Sequence, residues 1–275
     1  MDVMKLLNGS ELAGFIKERQ AHAVRALRQA HNTIPKLAII QTKDDPVINT
    51  YVRLKKAYGA DILVEVDLHN VNQTEVPELI QELNRDDSVH GIILQLPLED
   101  KTQTDELCDK VSTDKDVDAL GKDAVMEPAT PMAIMWLLAG YNVELAGKKI
   151  LLIGDGKLVG RPLSKNLRSS GYDVTVADRE TKNLPELTIE ADVIITATGR
   201  PAIIYPDMVK QGSVVVDAGV ASEEGKIVGD LDESMYERDD LTITPKKGGV
   251  GPLTICALFE NVIKSANREG SANDN

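Results

Sequence analysis

The feature that most constrains the fold is a series of short, almost continuously apolar segments separated by stretches with helical character. They are residues 36–42 (KLAIIQT), 62–68 (ILVEVDL) and 91–98 (GIILQLPL), followed by 148–154, 173–178, 191–199, 213–220 and 241–245. Apolar runs that do not alternate with polar residues are typical of parallel strands covered on both faces. The sequence therefore predicts an α/β protein with two blocks, the second of which forms a doubly wound, Rossmann-like sheet.

Helix signals divide the chain further. A helix is expected from Pro46, which suits a first helical turn, to Gly59, which suits a helix end. Residues 131–141 (PMAIMWLLAGY) predict a helix that bridges the two blocks, and a long helix follows the glycine-rich turn near Pro252. We expect residues 1–130, together with the C-terminal helix 252–275, to form one domain. Residues 131–251 would form a dinucleotide-binding domain, with a cleft between the two.

Composition excludes several classes of partner. The formal net charge of −13 argues against nucleic acid or an anionic membrane as the main partner, because either requires a basic surface. No apolar run approaches the roughly 20 residues of a membrane span, and the N-terminus lacks the pattern of a signal peptide. The two cysteines, Cys108 and Cys256, match no metal-ligand spacing. We therefore expect a cytoplasmic protein with two buried, reduced thiols and no bound metal.

A glycine-rich turn follows the first apolar run of the second block. Gly154, Gly156 and Gly160 form the pattern G-x-G-x-x-x-G between a predicted strand and a helix, where a pyrophosphate can bind the helix N-terminus. The same glycines would also serve a tight turn without a ligand. Asp178 ends the next strand, where a carboxylate binds ribose hydroxyls and favours NAD, whereas the adjacent Arg179 would favour NADP. The residues leave that choice open.

Polar residues of the first block stand out less clearly. Tyr51 and Lys55 lie four residues apart and share one face of the predicted helix, as many surface pairs do. Gln95 interrupts an apolar strand and requires a polar partner, which could be a ligand or nearby backbone. Asp118 lies in an acidic loop that could simply be solvated. The glycine-rich loop 244–254 (TPKKGGVGPLT) follows the last strand, where ligands of α/β proteins bind.

Ten segments in order resemble the bifunctional methylenetetrahydrofolate dehydrogenase/cyclohydrolase family. They are DDPVINTYVRLKKAYGA, GIILQLPL, DKDVD, PATP, IGDGKLVGRP, TKNL, ADVIITATGRP, VVVDAGV, VGDLD and TPKKGGVGPLT. The chain departs from the family at the cofactor turn, where Asp155 stands between Gly154 and Gly156 in place of the usual Arg. It also departs after Asp118, where the loop is shorter.

The resemblance implies a two-domain homodimer that oxidises 5,10-methylenetetrahydrofolate with a nicotinamide cofactor, usually NADP, with NAD possible. It then hydrolyses the methenyl product to 10-formyltetrahydrofolate. By resemblance, the chemistry depends on Lys55, with Tyr51 lining the folate site, Gln95 supporting the lysine and Asp118 holding the pterin. The remaining substrate-binding residues would be Leu96, Pro97, Gly248, Gly249 and Pro252. The cofactor-binding residues would be Gly154, Asp155, Gly156, Val159, Gly160, Asp178, Arg179, Thr198, Gly199 and Gly219.

Other hypotheses remain open from the sequence. One is an enzyme with a single activity, such as a cyclohydrolase whose nicotinamide half has decayed. Another is a non-catalytic folate-binding relative, which would not need Tyr51, Lys55, Gln95 and Asp118 together. A third is another two-domain dehydrogenase, such as a shikimate dehydrogenase-like protein, against which the QLPL and GGVGPLT segments speak.

Overall fold

The computed structural model describes residues 4–223 and 226–273 of the 275-residue chain. The chain forms two compact units, one of residues up to Ala13 and Thr130–Thr254, the other of Gly14–Ala129 and residues from Ile255. Two of the unit boundaries fall within the first and the last helix, and the third falls between Ala129 and Thr130. The sequence prediction had placed residues before Ala13 in the first domain, whereas the structure groups them with 130–254. None of the described helices has the length and hydropathy of a membrane-spanning segment.

The described elements follow one another as an alternation of strands and helices. The strands are β1 (Lys5–Leu6), β2 (Lys36–Gln41), β3 (Glu65–Asn70), β4 (Gly91–Leu94), β5 (Lys149–Ile153), β6 (Asp173–Ala177), β7 (Val193–Thr196), β8 (Val214–Asp217), β9 (Ala221–Glu223), β10 (Lys226–Val228) and β11 (Thr242–Ile243). The helices are α1 (Gly9–His31), α2 (Pro46–Ile62), α3 (Val76–Arg85), α4 (Thr104–Cys108), α5 (Ala129–Gly140), α6 (Gly160–Ser169), α7 (Leu184–Glu190) and α8 (Val250–Asn273).

The unit containing Gly14–Ala129 is built on a three-stranded parallel sheet with the order β3-β2-β4. The apolar strand β2 is central and almost completely buried, while the edge strand β3 is half exposed. Ile40 and Leu94 of this sheet pack with Ile80 of α3 and with Leu107 and Cys108 of α4 in one apolar core. Cys256, in α8, is buried as well, and neither cysteine forms a disulfide, as the sequence predicts.

Helix α2 is longer than predicted. It continues through Gly59 to Ile62 and ends at Leu63, which adopts a left-handed conformation with φ 68°. The prediction of a helix end at Gly59 was therefore wrong. Gly59 is small for a packing reason, because a Cβ there would lie 2.5 Å from the side chain of Val66 on β3. The extra helical turn also explains why strand β3 begins at Glu65 and not at residue 62.

The other unit contains a six-stranded parallel sheet with the order β1-β11-β8-β7-β5-β6. Strands β5 and β7 are neighbours, but the strand that follows β5, β6, lies on one side of the pair, and the strand that follows β7, β8, lies on the other. This is the doubly wound arrangement predicted from the sequence. The strands are shorter than their apolar runs, and strand β11 comprises only Thr242 and Ile243. The sequence analysis missed β1, whose Leu6 pairs with Ile243 at the edge of the sheet.

Buried apolar residues from the sheet and its helices fill the core of this unit. Leu151, Ile194 and Val215 of the three central strands pack with Met235 in one cluster. Helix α6 buries one face through Leu163 and Leu167, and helix α5 buries most of its length. Strands β9 and β10 form a separate antiparallel pair. The strands of the parallel sheet thus end at one edge, where the loops that carry the glycine-rich motifs begin.

Candidate active site

Helix α2 presents Tyr51 and Lys55 from a firmly anchored first turn. The Asp45 side chain accepts hydrogen bonds from the backbone N–H groups of Val47 (2.9 Å) and Ile48 (3.2 Å), and Pro46 needs no such partner. Ile48 and Val52 are buried on the side that packs on the unit. Tyr51 and Lys55 lie next to these buried residues on the helix and are themselves partly buried, so neither is a fully exposed surface residue.

Lys55 donates a hydrogen bond from Nζ to Oε1 of Gln95 over 2.8 Å. Gln95 comes directly after β4, which ends at Leu94, so the predicted strand 91–98 was too long. The glutamine is 9% exposed, and its amide nitrogen donates to the carbonyl of Leu96 (3.1 Å). Its own backbone N–H donates to Ile40 of β2 (2.8 Å). These contacts fix the amide so that its oxygen faces the lysine.

Asp118 lies near enough to Lys55 for each to shift the pKa of the other. Burial lowers the pKa of Lys55, and the Asp118 carboxylate opposes this by favouring the charged amine. Burial raises the pKa of Asp118, the charge of Lys55 lowers it, and Asp116 raises it. Burial also raises the pKa of Tyr51. The arrangement therefore contains an amine whose pKa is lowered beside a carboxyl group whose pKa is raised.

Two residues that hold the Asp118 loop were missed by the sequence analysis. Asp116 is buried, and its side chain accepts hydrogen bonds from the backbone of Leu120 (3.3 Å) and Gly121 (2.8 Å). Asn261 of α8 donates from Nδ2 to the carbonyls of Val117 (2.9 Å) and Glu127 (2.8 Å). The available signal was Asn261, next to Glu260, in the mainly apolar run ICALFENVI. A buried amide must find polar partners.

The glycine turn lies between β5 and α6, as the sequence predicts. A Cβ at Gly160 would lie 1.9 Å from the carbonyl oxygen of Gly154, so the start of α6 packs directly on the end of β5. Gly154 has φ +115°, and a Cβ there would lie 2.6 Å from the carbonyl of Ala197. At Gly156, by contrast, nothing lies within 4 Å of the corresponding position. The turn is thus closed on the protein side and open where a pyrophosphate would approach the backbone.

Asp178 follows β6 next to this turn, since Gly154 donates its N–H to Ala177 (2.8 Å). The Asp178 side chain is exposed, and its Oδ1 accepts from the backbone of Glu180 (2.9 Å) and the Thr181 hydroxyl (3.0 Å). These bonds, with Glu180 foremost, lower the pKa of Asp178 and keep it ionised. Its Oδ2 takes part in neither bond. The carboxylate is therefore held in place through its Oδ1.

Asp155, the departure from the family pattern, is paired within the same turn. Its carboxylate accepts a hydrogen bond from Nε of Arg161 over 3.1 Å, and both side chains are well exposed. An exposed pair of this kind contributes at most about 1 kcal/mol of stability. The guanidinium offsets the negative charge that Asp155 would otherwise present to a pyrophosphate. Val159 precedes Gly160, and Arg179 follows Asp178 as an exposed residue.

The other predicted cofactor residues lie at the same sheet edge. Thr198 and Gly199 follow β7, and the Thr198 methyl group would lie 3.3 Å from a Cβ at Gly154. Gly219 follows β8, where it donates its N–H to Asp217 (2.9 Å). The structure therefore brings the ends of β5, β6, β7 and β8 together, as expected for loops that bind a dinucleotide.

The remaining predicted residues fall in two places. Leu96 and Pro97 follow Gln95 directly, with Leu96 partly buried and Pro97 exposed. Gly248, Gly249 and Pro252 belong to the unit of the six-stranded sheet. There the carbonyl of Gly248 accepts a hydrogen bond from Ser10 at the start of α1 (2.9 Å). The sequence gives no sign of this support for the loop.

Comparison with known protein families matches most of the chain. Residues 7–118 match the domain described as "Tetrahydrofolate dehydrogenase/cyclohydrolase, catalytic domain". Residues 128–270 match "Tetrahydrofolate dehydrogenase/cyclohydrolase, NAD(P)-binding domain". Among curated proteins, the chain is 40% identical to the "Bifunctional protein FolD" of Campylobacter jejuni strain RM1221, over 96% of this chain and 98% of that protein.

Solved structures give the same result. The crystal structure of the bifunctional FolD dehydrogenase/cyclohydrolase from Campylobacter jejuni matches with a TM-score of 0.89 and 38% identity, over 96% of this chain and 99% of that one. The dehydrogenase-cyclohydrolase of Trypanosoma brucei, solved with NADP and an inhibitor, matches with a TM-score of 0.90 and 26% identity. That match covers 98% of this chain and 99% of the other.

Proposed function

Because the chain belongs to the tetrahydrofolate dehydrogenase/cyclohydrolase family, we propose that it converts 5,10-methylenetetrahydrofolate to 10-formyltetrahydrofolate in two steps, with Lys55 as the residue on which hydrolysis depends. The observation that carries this proposal is the hydrogen bond from the partly buried Lys55 amine to Gln95, beside Asp118. Four polar residues from α2, the end of β4 and the 116–121 loop would be costly to bury together without a ligand to use them.

The first step removes a hydride from the bridging methylene carbon. The neighbouring nitrogen lone pairs stabilise the resulting methenyl cation, so the protein must mainly orient the substrate. When bound, the nicotinamide cofactor accepts the hydride. We propose that Tyr51 lines the folate site and that Asp118 binds the pterin, because one carboxylate can accept hydrogen bonds from both a pterin amine and a ring N–H. Leu96, Pro97, Gly248, Gly249 and Pro252 would complete the substrate-binding residues.

The second step adds water to the methenyl carbon. The water must lose a proton as it attacks, and a neutral amine within hydrogen-bond reach can accept it. Burial lowers the pKa of Lys55, which increases the fraction of neutral amine near pH 7. A substrate cation bound nearby would lower it further. Gln95 accepts one N–H of the lysine and so directs the nitrogen lone pair. The bond between this carbon and N5 then breaks, the proton of the new hydroxyl group passes to N5, and the formyl group remains on N10.

The dinucleotide would bind the unit of the six-stranded sheet. The glycine turn fits a pyrophosphate, because it is open at Gly156 and ends at the N-terminus of α6. We propose that Asp178 and Arg179 bind the ribose and that Asp155 and Val159 belong to the turn that binds the pyrophosphate. Thr198, Gly199 and Gly219 would bind the nicotinamide half. NADP is the proposed cofactor, in keeping with the Trypanosoma brucei relative, and the position of Asp178 leaves room for NAD.

We further propose a cytoplasmic homodimer that acts on folates and binds neither nucleic acid nor membrane. Two buried cysteines without a disulfide and the net charge of −13 support this proposal. The family resemblance supports the dimer, which light scattering on the purified protein would test.

The experiment that tests the function is a spectrophotometric assay on methylenetetrahydrofolate, run separately with NADP and NAD. A bifunctional enzyme produces the absorbance of the methenyl compound transiently and then consumes it. A protein with only the dehydrogenase activity accumulates the methenyl compound, and one with only the cyclohydrolase activity hydrolyses added methenyl substrate without reducing either cofactor. Absence of both reactions would refute the proposal.

A further inference from the structure

Two aspartates at the carboxyl edge of the six-stranded sheet take no part in the steps described above. Asp217 is the last residue of β8, and Asp230 follows the β9–β10 pair. Asp230 is completely buried, and Asp217 is partly buried. Neither forms an ion pair with any of the residues that the structure describes. Their charges are instead met by hydrogen bonds from the neighbouring loops.

Asp230 binds the turn that follows β7. Its Oδ2 accepts hydrogen bonds from the backbone N–H of Thr198 (2.7 Å) and from the Thr198 hydroxyl (2.9 Å). Its Oδ1 accepts from the backbone N–H of Arg200 (3.0 Å). Gly199, between these two residues, has φ +65°. One carboxylate thus fixes the backbone on both sides of a left-handed glycine.

Asp217 in turn holds Asp230. Its two oxygens accept hydrogen bonds from the backbone N–H of Asp230 (2.9 and 3.1 Å) and from that of Leu231 (3.2 Å). Oδ1 also accepts from the Thr196 hydroxyl at the end of β7 (3.2 Å). The loops after β7, β8 and β10 are therefore connected through two side chains.

Two glycines leave the space that these carboxylates occupy. A Cβ at Gly219 would lie 2.0 Å from Oδ1 of Asp230, and a Cβ at Gly229 would lie 2.0 Å from Oδ2 of Asp217. The arrangement is reciprocal. Gly219, two residues after Asp217, leaves space for Asp230, and Gly229, one residue before Asp230, leaves space for Asp217. Burial of an aspartate is unfavourable, and it raises the pKa of Asp230, with the Asp217 charge adding to the effect and the Thr198 N–H opposing it. The hydrogen bonds that the carboxylate accepts from Thr198 and Arg200 offset this cost, so the role of Asp230 lies in that turn.

The turn held by Asp230 lies on the nicotinamide side of the sheet. A dinucleotide crosses a doubly wound sheet at the point where the strand order reverses, which here is between β5 and β7. With the ribose-binding position at the end of β6, the other half of the cofactor extends over β7 and β8. We propose that Asp230, held by Asp217, is a positioning residue that fixes the Thr198–Arg200 backbone in the geometry that binds the nicotinamide half. This inference rests on the proposed role of Thr198 and Gly199 in the cofactor site.

The test compares Asp230→Asn with the unaltered protein. Each carboxylate oxygen of Asp230 accepts a hydrogen bond from a backbone N–H, that of Thr198 or that of Arg200. In either orientation of the asparagine amide, its NH₂ group therefore faces one of these N–H donors and that hydrogen bond is lost. We expect the Kd for NADPH, measured by fluorescence titration, to rise roughly ten- to hundredfold, in line with the loss of hydrogen bonds to a charged group. The KM for NADP should rise with it. The KM for the folate and the hydrolysis of added methenyltetrahydrofolate should stay within about twofold.

Asp192→Asn is the matched control. Asp192 lies at the opposite edge of the same sheet, just before β7, and accepts a backbone hydrogen bond from Lys149 (2.8 Å). Its substitution should leave the Kd for NADPH unchanged. An unchanged Kd in Asp230→Asn, or an equal rise in Asp192→Asn, would overturn the inference. If the unaltered protein binds neither NADPH nor NADH, the proposed cofactor site itself fails, which is a different result.

A second pair of variants covers the case in which Asp230→Asn does not fold. Thr198→Val removes the hydroxyl that donates to Asp230, whereas Thr198→Ser keeps it. We expect the Val variant to bind NADPH several-fold more weakly than the Ser variant. Equal affinities for the two variants would contradict the inference.

Discussion

Gln95→Leu is the most informative substitution around Lys55. The variant removes the oxygen that accepts the lysine hydrogen bond (2.8 Å) and replaces the amide by an apolar group of similar size. A hydrogen bond that involves a charged group contributes about 1.5–3 kcal/mol. If that interaction orients the amine in the transition state of hydrolysis, its loss corresponds to a decrease in kcat/KM of roughly 10- to 150-fold.

The assay follows the disappearance of added methenyltetrahydrofolate, so that cofactor binding does not enter the measurement. Spontaneous hydrolysis is subtracted with a sample that contains no enzyme. The free energy of unfolding, measured in parallel with urea, should fall by about 1–3 kcal/mol, because the Lys55 amine loses its partner in a partly buried position. The hydrolysis rate per folded molecule should be reduced to the same extent at every enzyme concentration.

Gln73→Leu provides the control. Gln73 is also 9% exposed, lies in the same unit and exchanges hydrogen bonds with the backbone N–H (2.9 Å) and carbonyl (3.0 Å) of Asp100. We expect a similar loss of stability and a hydrolysis rate within about twofold of the unaltered protein. Near-normal hydrolysis by Gln95→Leu, or an equal loss in Gln73→Leu, would refute the reasoning.

Two further predictions concern charge. Because the Asp118 carboxylate raises the pKa of Lys55 while burial lowers it, Asp118→Asn should move the acid limb of the cyclohydrolase pH–rate profile towards lower pH. The rate of the unaltered enzyme should fall as pH falls through the pKa of Lys55, and an unmoved or upward-shifted limb in the variant would contradict this assignment. Asp178→Ser should raise the kcat/KM ratio of NADP to NAD by roughly tenfold, because a carboxylate near the ribose repels a 2′-phosphate. Asp173→Ser, at the other end of β6, should leave that ratio unchanged, and an equal ratio in all three proteins would exclude Asp178 from the ribose site.

Much of the fold follows from the sequence because its signals are local. The apolar runs of β5, β7 and β8 and the glycine turn before α6 each predict their element from a few neighbouring residues. The ends of elements depend on packing instead. Gly59 lies inside α2 because the helix approaches Val66 closely, which no local signal reveals. The two-residue strand β1 is defined by its parallel pairing with β11, which no local signal predicts.

The candidate site could be predicted from the sequence only in part. The identities of Lys55, Gln95 and Asp118 came from the order of motifs in the family, since spacing alone left Lys55 as a possible surface residue. Their supports act over long sequence distances. Asn261 holds the carbonyl of Val117 from 144 residues further along the chain, and Asp230 holds Thr198 across 32 residues. Side-chain hydrogen bonds of this kind depend on tertiary structure, and only a buried polar residue in an apolar run hints at them.

The central claim is that hydrolysis depends on the Lys55 amine and not on the positive charge of α2 in general. The direct test compares Lys55→Met with Lys56→Met, since Lys56 is the exposed neighbour on the same helix. In the methenyltetrahydrofolate assay, Lys55→Met should lose cyclohydrolase turnover to the level of the spontaneous reaction while its circular dichroism spectrum stays native, and Lys56→Met should hydrolyse the substrate at close to the normal rate. Near-normal hydrolysis by a folded Lys55→Met protein would contradict the claim.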